Sequence, residues 1–257
     1  MLKEERHKTI VEQLGKNGKA LVVDLSAEFG VSEMTIRRDL QELEQNGWIE
    51  RVHGGALLSK RQKNRLEPPA LERMGAMMPE KKRIAEYLVG LVQPGEMLFI
   101  GSGTTTLYFA QALAKRDGDD ITVVSNALPI MNELASTSQM TIIGVGGFLR
   151  RDELSLIGSL AEAEIRNLRV DKVVIGMRGI HPLHGLTSDH PQELLTDRQI
   201  LSISETVIVA ADHTKIGHVA TSITAPIEKT SLLVTTKGAD PRMVRDIEAK
   251  GSKVVLV

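Results

Sequence analysis

The chain has 257 residues, contains no cysteine, and balances 32 Lys and Arg against 33 Asp and Glu, for a formal net charge of -1. The lack of cysteine excludes disulfides, a thiol nucleophile and a cysteine-ligated metal. No run approaches the ~18 apolar residues of a membrane span, and the N-terminus has no signal-peptide core, so we expect a cytoplasmic protein without membrane association. The length suits one small and one medium domain.

The N-terminal region predicts two helices that lead into a third. Apolar residues recur at helical spacing before a glycine-containing break at 15–18. A second short apolar segment, 22–29, ends at Gly30, a residue that suits a helix C-terminus. A tight turn over 30–32 then enters the third helix. This spacing is typical of a helix-turn-helix.

Residues 32–43 predict an amphipathic helix with one buried and one exposed face. Ile36, Leu40 and Leu43 recur at i, i+4 and i+7 and form one apolar stripe. Ser32 precedes the helix and can cap its free N–H groups. The side chains opposite the stripe are Met34, Arg37, Arg38 and Gln41. Arginine, glutamine and short hydroxyl groups suit contacts with base edges and phosphates; the alternative is the solvated face of an ordinary helix.

Residues 48–57 predict a wing of two short strands around a glycine-rich turn. Asn46 and Gly47 are expected to end the preceding helix, and Trp48 to pack the wing onto the helices rather than stack on a base. Positive charge is local, because residues 51–65 carry basic side chains and no acidic ones. A local patch is enough for DNA, since phosphate contacts act over about one Debye length, ~8 Å. The pattern therefore predicts a winged helix-turn-helix.

The N-terminal signature of DeoR-type bacterial transcriptional regulators is similar to four stretches of this chain: Thr35–Leu40, Leu43–Glu44, Gly47 and Arg51–Ala56. The resemblance implies double-stranded operator DNA as the partner, with wing contacts to the backbone or minor groove from Arg51 and His53. With the exposed helix face included, the predicted DNA-contacting residues are Ser32, Thr35, Arg37, Arg38, Gln41, Arg51 and His53.

Residues 59–78 are predicted to link a DNA-binding domain at 1–58 to an effector-sensing domain at 79–257. The segment is polar and then rich in proline and methionine, a composition typical of linkers. A new helical period follows over 80–92 and is closed by Pro94-Gly95.

Short apolar runs then alternate with helical stretches. The runs lie at 97–100, 121–124, 140–143, 172–175, 206–210, 232–234 and 254–257. The helical periods between them lie at 107–113, 130–135, 194–202 and 243–249. Continuous hydrophobicity indicates strands that are covered on both faces. The alternation predicts an α/β fold with a doubly wound, mostly parallel sheet.

Polar residues and glycines follow the predicted strands, at the edge where such sheets bind ligands. The first strand ends in Gly101–Thr106 just before a helix, where hydroxyl and free N–H groups suit a phosphate. A plain capped turn is the alternative, and no Gly-Lys-Ser/Thr follows to make a nucleotide P-loop. The other polar or glycine-rich strand ends are Ser125-Asn126, Gly146-Gly147, Gly176–Gly179 and Asp212–Lys215.

Residues 75–257 resemble the DeoR-family effector domain, which is similar in fold to ribose-phosphate isomerases and coenzyme A transferases. The resemblance implies a phosphorylated sugar or related anionic metabolite as effector, with Lys215 as a cation and with hydroxyl contacts from Asp189 and Glu193. The predicted effector-binding residues are Ser102, Gly103, Thr104, Thr105, Thr106, Asn126, Gly146, Gly147, Arg178, Asp189, Glu193 and Lys215. A solvated Glu193 and a surface ion pair of Lys215 are the alternatives.

Two positions depart from the family pattern, in which an aspartate commonly precedes the serine and threonine run and a small or neutral residue is usual at position 178. Here they are Gly101 and Arg178. Both changes make the site more positive, which favours an acidic effector such as a phosphorylated sugar acid or a bisphosphate. The alternative is that Arg178 pairs with an acidic neighbour and Gly101 only reshapes the turn.

The histidines of the C-terminal part show no His-x-x-x-His or His-Glu-x-x-His pair on a helix, so positions in loops are favoured over a metal site. No cofactor and no catalytic residue is predicted. The leading hypothesis is a transcriptional regulator, a repressor of a carbohydrate operon, that acts as a homodimer or homotetramer.

Two other functions stay open. A sugar-phosphate isomerase-type enzyme with a DNA-binding module would use Asp189 and Glu193 to move protons between sugar carbons. An architectural DNA binder would carry a degenerate second domain without a ligand.

Overall fold

The computed structural model of the chain describes residues 3–45, 48–58, 69–116, 120–137 and 140–257. It divides into two compact units, Met1–Glu67 and Pro68–Val257. The predicted end of the third helix at Asn46 and Gly47 lies outside the described residues, as does the first half of the predicted linker, 59–68. Within the described part of the chain, no helix is long and apolar enough to cross a membrane.

The first unit has three helices and a small antiparallel sheet. The helices are α1 Lys3–Asn17, α2 Val22–Phe29 and α3 Glu33–Gln45. The strands are β1 Lys19–Leu21, β2 Ile49–Val52 and β3 Gly55–Leu58, in the order β1-β3-β2. Gly30 ends α2 with a left-handed backbone (φ 64°), as predicted. The helix-turn-helix and the two wing strands are confirmed, whereas β1 was not predicted.

The core of the first unit contains the predicted apolar stripe of α3. Ile36, Leu40 and Leu43 are at most 4 % exposed and pack with apolar side chains of α1, α2 and the wing. The expectation that Trp48 packs the wing onto the helices is wrong, because its side chain is 42 % exposed. Its neighbour Ile49 fills the core instead, at 2 % exposure.

The second unit combines seven helices with three sheets within the described residues. The helices are α4 Ala70–Arg73, α5 Met78–Val89, α6 Thr104–Leu113, α7 Leu128–Leu134, α8 Ser159–Arg166, α9 Leu194–Ser202 and α10 Pro241–Glu248. The strands are β4 Met97–Ile100, β5 Ile121–Ser125, β6 Met140–Gly144, β7 Phe148–Arg150, β8 Ser155–Ile157, β9 Lys172–Ile175, β10 Gly179–His181, β11 Gly185–Ser188, β12 Thr206–Ala210, β13 Ser222–Ala225, β14 Leu232–Thr235 and β15 Lys253–Leu256.

The largest sheet contains the seven predicted strands, all parallel, in the order β15-β14-β12-β9-β4-β5-β6. Neighbouring residues of one strand pack into opposite cores. Phe99 and Val173 belong to the cluster on one face, and Leu98 and Val174 to the cluster on the other. The prediction of a parallel sheet covered on both faces is confirmed.

The direction of winding reverses between β4 and β9. From β4 the chain proceeds to β5 and β6 on one side, and it then returns to β9 on the other side of β4. Parallel sheets bind ligands at such a reversal, beyond the carboxyl ends of the strands. The segments that begin at Gly101 and Gly176 lie at this point.

Two smaller sheets, which were not predicted, are built from segments that follow the carboxyl ends of the main strands. One is the antiparallel hairpin β7-β8, and the other has the order β10-β11-β13. Their strands have three or four residues and are interrupted by glycines and turns, so they are too short to give a periodic pattern. Helix α8 was also not predicted.

Candidate functional site

The face of α3 opposite the apolar stripe is exposed, as predicted. Arg37, Arg38 and Gln41 are all exposed on it. The Ser32 hydroxyl accepts a hydrogen bond from the Thr35 backbone N–H at 3.2 Å, so Ser32 caps the helix. The arginine and glutamine side chains are therefore presented on a rigid helix, the geometry that major-groove recognition requires.

The wing is a tight hairpin whose turn contains Gly54 at φ 76°. Arg51 and His53 are exposed. The Glu44 carboxylate of α3 accepts a hydrogen bond from the Arg51 backbone N–H at 3.1 Å and lies 3.9 Å from its guanidinium group. This contact fixes the wing against the end of α3, next to the predicted DNA-reading face.

Asp39 is a buried charged residue that the sequence analysis missed. It is 3 % exposed and faces α1, where its carboxylate accepts a hydrogen bond from Arg6 Nε at 2.8 Å and lies 3.1 Å from His7 Nε2. The signal was available, because Asp39 lies three residues after Ile36 and four before Leu43 and so falls on the buried stripe. It fixes the orientation of α3 relative to α1.

In the second unit, we use the name cradle for Gly101–Thr106, the segment after β4. Its Gly103 has φ 140°, a conformation that favours glycine, and is the N-cap of α6 without any capping side chain. Thr104, Thr105 and Thr106 are 4 %, 7 % and 0 % exposed. The Thr106 hydroxyl donates to the Gly103 carbonyl at 2.9 Å. The first N–H groups of α6 therefore lack a side-chain cap from Gly103, an arrangement suited to an anion.

Two other segments meet the cradle at the sheet edge. The Ser125 hydroxyl donates to the Ile100 carbonyl at 2.7 Å, and a Cβ added at Gly176 would lie 4.0 Å from the Ser102 carbonyl oxygen. Asn126 is 2 % exposed and donates through Nδ2 to the Leu156 carbonyl at 3.0 Å. Its Oδ1 has no hydrogen-bond partner among the described residues, which is costly unless a ligand or water supplies a donor.

The predicted sugar-binding carboxylates are both paired with arginine. Asp189 accepts a hydrogen bond from Arg178 Nε at 2.9 Å, which is the alternative stated for that arginine. Glu193 forms an ion pair with Arg150 and accepts from the Ser155 hydroxyl at 3.3 Å. Because Glu193 is 8 % exposed, the alternative of a solvated helix residue is wrong.

The remaining predicted residues have different surroundings. The Gly146 N–H donates to the Glu164 carboxylate at 2.8 Å. A Cβ added at Gly147 would lie 2.8 Å from the Ile157 carbonyl oxygen, so this glycine allows close packing of the hairpin. Lys215 is half-buried in a single 3-10 turn after β12. Whether these residues bind an effector stays a prediction.

A cluster of buried charges beside the cradle was not predicted. Glu153 forms an ion pair with Arg73 of α4 and lies 3.9 Å from Arg150. Burial raises the pKa of Asp197 well above its ordinary value, and the Glu193 carboxylate adds to the rise. In the sequence, positions 150–153 read Arg-Arg-Asp-Glu, which is indistinguishable from a solvated turn.

A small pocket joins this cluster to the cradle. Its lining is mainly apolar and comprises Ala70, Met74, Gly103, Thr104, Leu107, Ala127, Pro129, Ile130, Glu153 and Leu154. The described residues hold no group of three or more histidine, aspartate or glutamate side chains arranged to bind a metal ion.

Comparison with known proteins identifies both units. The model of the DeoR-like helix-turn-helix domain matches residues 6–62, and that of the DeoR C terminal sensor domain matches residues 77–237. The chain belongs to the DeoR family. The resemblance inferred from the sequence is thereby confirmed.

Relatives of this DeoR-family chain are named as transcriptional repressors. It is 34 % identical to the transcriptional repressor AccR of Agrobacterium fabrum, over 91 % of this chain and 90 % of that one. It is also 34 % identical to the glycerol-3-phosphate regulon repressor of Escherichia coli, over 84 % of each chain. Ribose 5-phosphate isomerase A of Methanocaldococcus jannaschii is 15 % identical, with a TM-score of 0.40 over 55 % of each chain.

Proposed function

We propose that this DeoR-family chain represses a carbohydrate-use operon and that a phosphorylated sugar bound at the cradle weakens its hold on operator DNA. The observation that carries the proposal is the pairing, in one chain, of an exposed arginine-bearing helix with an uncapped helix start at the reversal point of a parallel sheet. Asn126 Oδ1 at the same edge, which has no partner within the part of the chain that the structure describes, supports a ligand there. The relative named for a glycerol-3-phosphate regulon supports the chemical class.

A phosphorylated sugar of ordinary charge fits better than a sugar acid or a bisphosphate. The argument for extra negative charge rested on Gly101 and on an uncompensated Arg178. For Arg178 it fails, because the Asp189 carboxylate lies 2.9 Å away and is itself buried, with a side chain 4 % exposed. This pair is neutral overall. The phosphate would be held by N–H groups and hydroxyls of the cradle, with Lys215 as the proposed cation.

The isomerase alternative gains no support from the two carboxylates that would move protons. Asp189 and Glu193 are each paired with an arginine, so neither carboxylate can take a proton from a sugar carbon without disturbing an existing ion pair. A direct assay of sugar-phosphate isomerisation checks this. Turnover that is abolished by Glu193→Gln would contradict the proposal of a repressor without enzymatic activity.

Regulation by the effector is a linkage between two binding events. Helices of this type read paired half-sites, so we propose a symmetric dimer or tetramer held together by the second unit. An effector that lowers operator affinity 100-fold must favour the non-binding arrangement by ~2.7 kcal/mol. A phosphate held by several N–H groups and a lysine can supply that difference.

The test uses the full-length chain and an operator selected from random DNA by repeated binding. Thermal shift is measured with phosphorylated sugars and with the same sugars lacking phosphate, and operator affinity is measured with each by fluorescence anisotropy. We expect at least one phosphorylated sugar to raise the melting temperature and weaken operator binding, while its unphosphorylated form does neither. A melting temperature unchanged by every compound would favour the architectural DNA binder.

A further inference from the structure

The segment that enters the second unit forms part of the candidate effector site. We use the name strap for residues 69–78, which follow the segment leading from the DNA-binding unit and contain α4. Two hydrogen bonds hold the strap to the rest of the second unit. The Ala70 N–H donates to the Asp152 carbonyl at 2.8 Å, and Tyr108 Oη donates to the Met74 carbonyl at 3.1 Å. Because Tyr108 belongs to α6, the strap contacts the helix that begins at the cradle.

The strap and the cradle line the same pocket. Ala70 and Met74 of the strap lie on it together with Gly103 and Thr104 of the cradle, and Glu153 also belongs to the lining. A sugar whose phosphate occupies the cradle therefore has the strap as an immediate neighbour. The strap is also the first described part of the chain after the wing.

The arginines at this contact can exchange one anionic partner for another. Glu153, with a side chain 8 % exposed, pairs with Arg73 of the strap and lies 3.9 Å from Arg150, which in turn pairs with Glu193. These four side chains are two cations and two anions, and Asp197 lies close to Glu193, Arg150 and Glu153. A phosphate dianion brought to Thr104 adds negative charge beside Glu153, and it competes with that carboxylate for the arginines.

One residue of the strap and one residue next to Glu153 have an unusual backbone conformation. Met77, at the end of the strap, has φ 53°, and Leu154, which follows Glu153, has φ 51°. They are the non-glycine residues with positive φ among the described residues, and side chains of this kind rarely adopt that region. Residues in such conformations concentrate at segments that switch between two arrangements.

We propose that the strap relays effector binding to the DNA-binding unit: the Arg73–Glu153 ion pair holds it in the unliganded repressor, and the effector's phosphate breaks that pair and releases it. The inference rests on the proposed function and adds how the same site is regulated. Release changes the position at which the linker starts, and thereby the spacing of the two reading helices of an oligomer. Operator binding is then lost without any contact between effector and DNA.

The first test needs no effector. Arg73→Gln removes the ion pair, and Arg83→Gln is the matched control because it removes an exposed pair with Glu80 on α5, at 3.4 Å. We expect Arg73→Gln to weaken operator binding by about 5- to 150-fold, the usual range of coupling between sites, and Arg83→Gln to leave it unchanged. Glu153→Gln, which removes the same pair from the other side, should reproduce the loss. Wild-type operator affinity in both folded variants would overturn the proposal.

The second test locks the strap. Since the chain has no cysteine, Ala70→Cys with Asp152→Cys places a single pair of thiols where the two backbones are hydrogen-bonded. The probe is whichever of glycerol 3-phosphate, ribose 5-phosphate and glucose 6-phosphate shifts the melting temperature most. We expect the oxidised protein to bind both operator and probe but to keep its operator affinity when the probe is added, and reduction to restore the response.

The outcomes separate the two proposals. An oxidised protein that releases the operator as readily as the reduced one would overturn the role of the strap while leaving the effector site intact. If none of the three probes binds, the proposed effector class is wrong. The inference about the strap is then still decided by the operator affinities of Arg73→Gln and Glu153→Gln.

Discussion

The exposed face of α3 and the sheet edge around the cradle present their polar groups in opposite ways. On α3, Arg37 and Arg38 extend into solvent from a helix whose other face is fully packed. At the sheet edge, Asp189 and Glu193 are buried and already bound to arginines. Exposed side chains on a helix can contact a rigid DNA duplex without rearranging. A small ligand at the sheet edge must instead displace the existing arginine–carboxylate ion pairs or bind alongside them. Such displacement allows ligand binding to change the protein.

The largest expected effect is on the unfolding free energy of the first unit. It compares a buried and an exposed ion pair, both of which join α1 to α3. Asp39→Ala leaves Arg6 buried without its carboxylate and should destabilise the first unit by about 3–5 kcal/mol. Glu42→Ala removes an exposed pair with Lys3 between the same helices and should cost less than about 1 kcal/mol. Urea unfolding of both variants measures the difference. Equal losses of unfolding free energy would mean that the buried pair of Asp39 stabilises the unit no more than the exposed pair of Glu42.

The next largest expected effect is on effector binding at the cradle. Thr105→Asp places a carboxylate at the helix start where the phosphate is proposed to bind; because Thr105 is 7 % exposed, thermal unfolding first checks that the variant is folded. Like charges brought together cost several kcal/mol, so effector binding should be abolished and operator affinity should no longer respond to the effector. Thr105→Ser is the matched control and should respond normally. Calorimetry with the active phosphorylated sugar measures the affinity, and a fully inducible Thr105→Asp variant would place the phosphate elsewhere.

A smaller effect is expected on the DNA-reading face. Arg38→Ala should lose about 1–3 kcal/mol of specific operator affinity, the contribution of one good arginine–base contact. Arg242→Ala removes an exposed arginine of the second unit and is the control. Anisotropy titrations with specific and scrambled DNA measure the loss. Effector affinity should stay unchanged in both variants, and its loss with Arg38→Ala would indicate damage to the fold instead of to a contact.

The sequence allowed prediction of elements whose pattern repeats over several residues. The stripe of Ile36, Leu40 and Leu43 and the seven continuous apolar strands follow from burial on one or on two faces, and both are present. The short strands of the smaller sheets gave no such pattern. Their position depends on pairing with distant segments, as in the pairing of β11 with β13, which chain-local reasoning cannot supply.

The candidate sites could be predicted where a local motif carries the chemistry. The cradle and the face of α3 are each one continuous stretch of sequence. The ion pairs that occupy the sheet edge join residues far apart, such as Arg73 with Glu153 and Arg150 with Glu193. Nothing in the neighbourhood of Arg73 in the sequence indicates its partner, so the element proposed here to relay the signal was predicted only as part of a linker.

The smallest expected effect concerns the pH dependence of the second unit. Asp197 has a raised pKa because it is buried, and the nearby Glu193 and Glu153 carboxylates add to the rise. A folded-state pKa above that of the unfolded chain means that the folded protein holds the proton more tightly. The stabilising contribution of Asp197 is therefore present below the ordinary carboxyl range, near pH ~4, and is lost as the pH rises through the raised value.

Asp197→Asn should remove this dependence, because its side chain is neutral at every pH. We expect the melting temperature of the wild-type second unit to fall relative to that of the variant as the pH increases from about 5 to 8. Differential scanning calorimetry of the full-length chain measures both. Parallel curves would show that Asp197 titrates alike in the folded and unfolded chains, and would contradict its raised pKa.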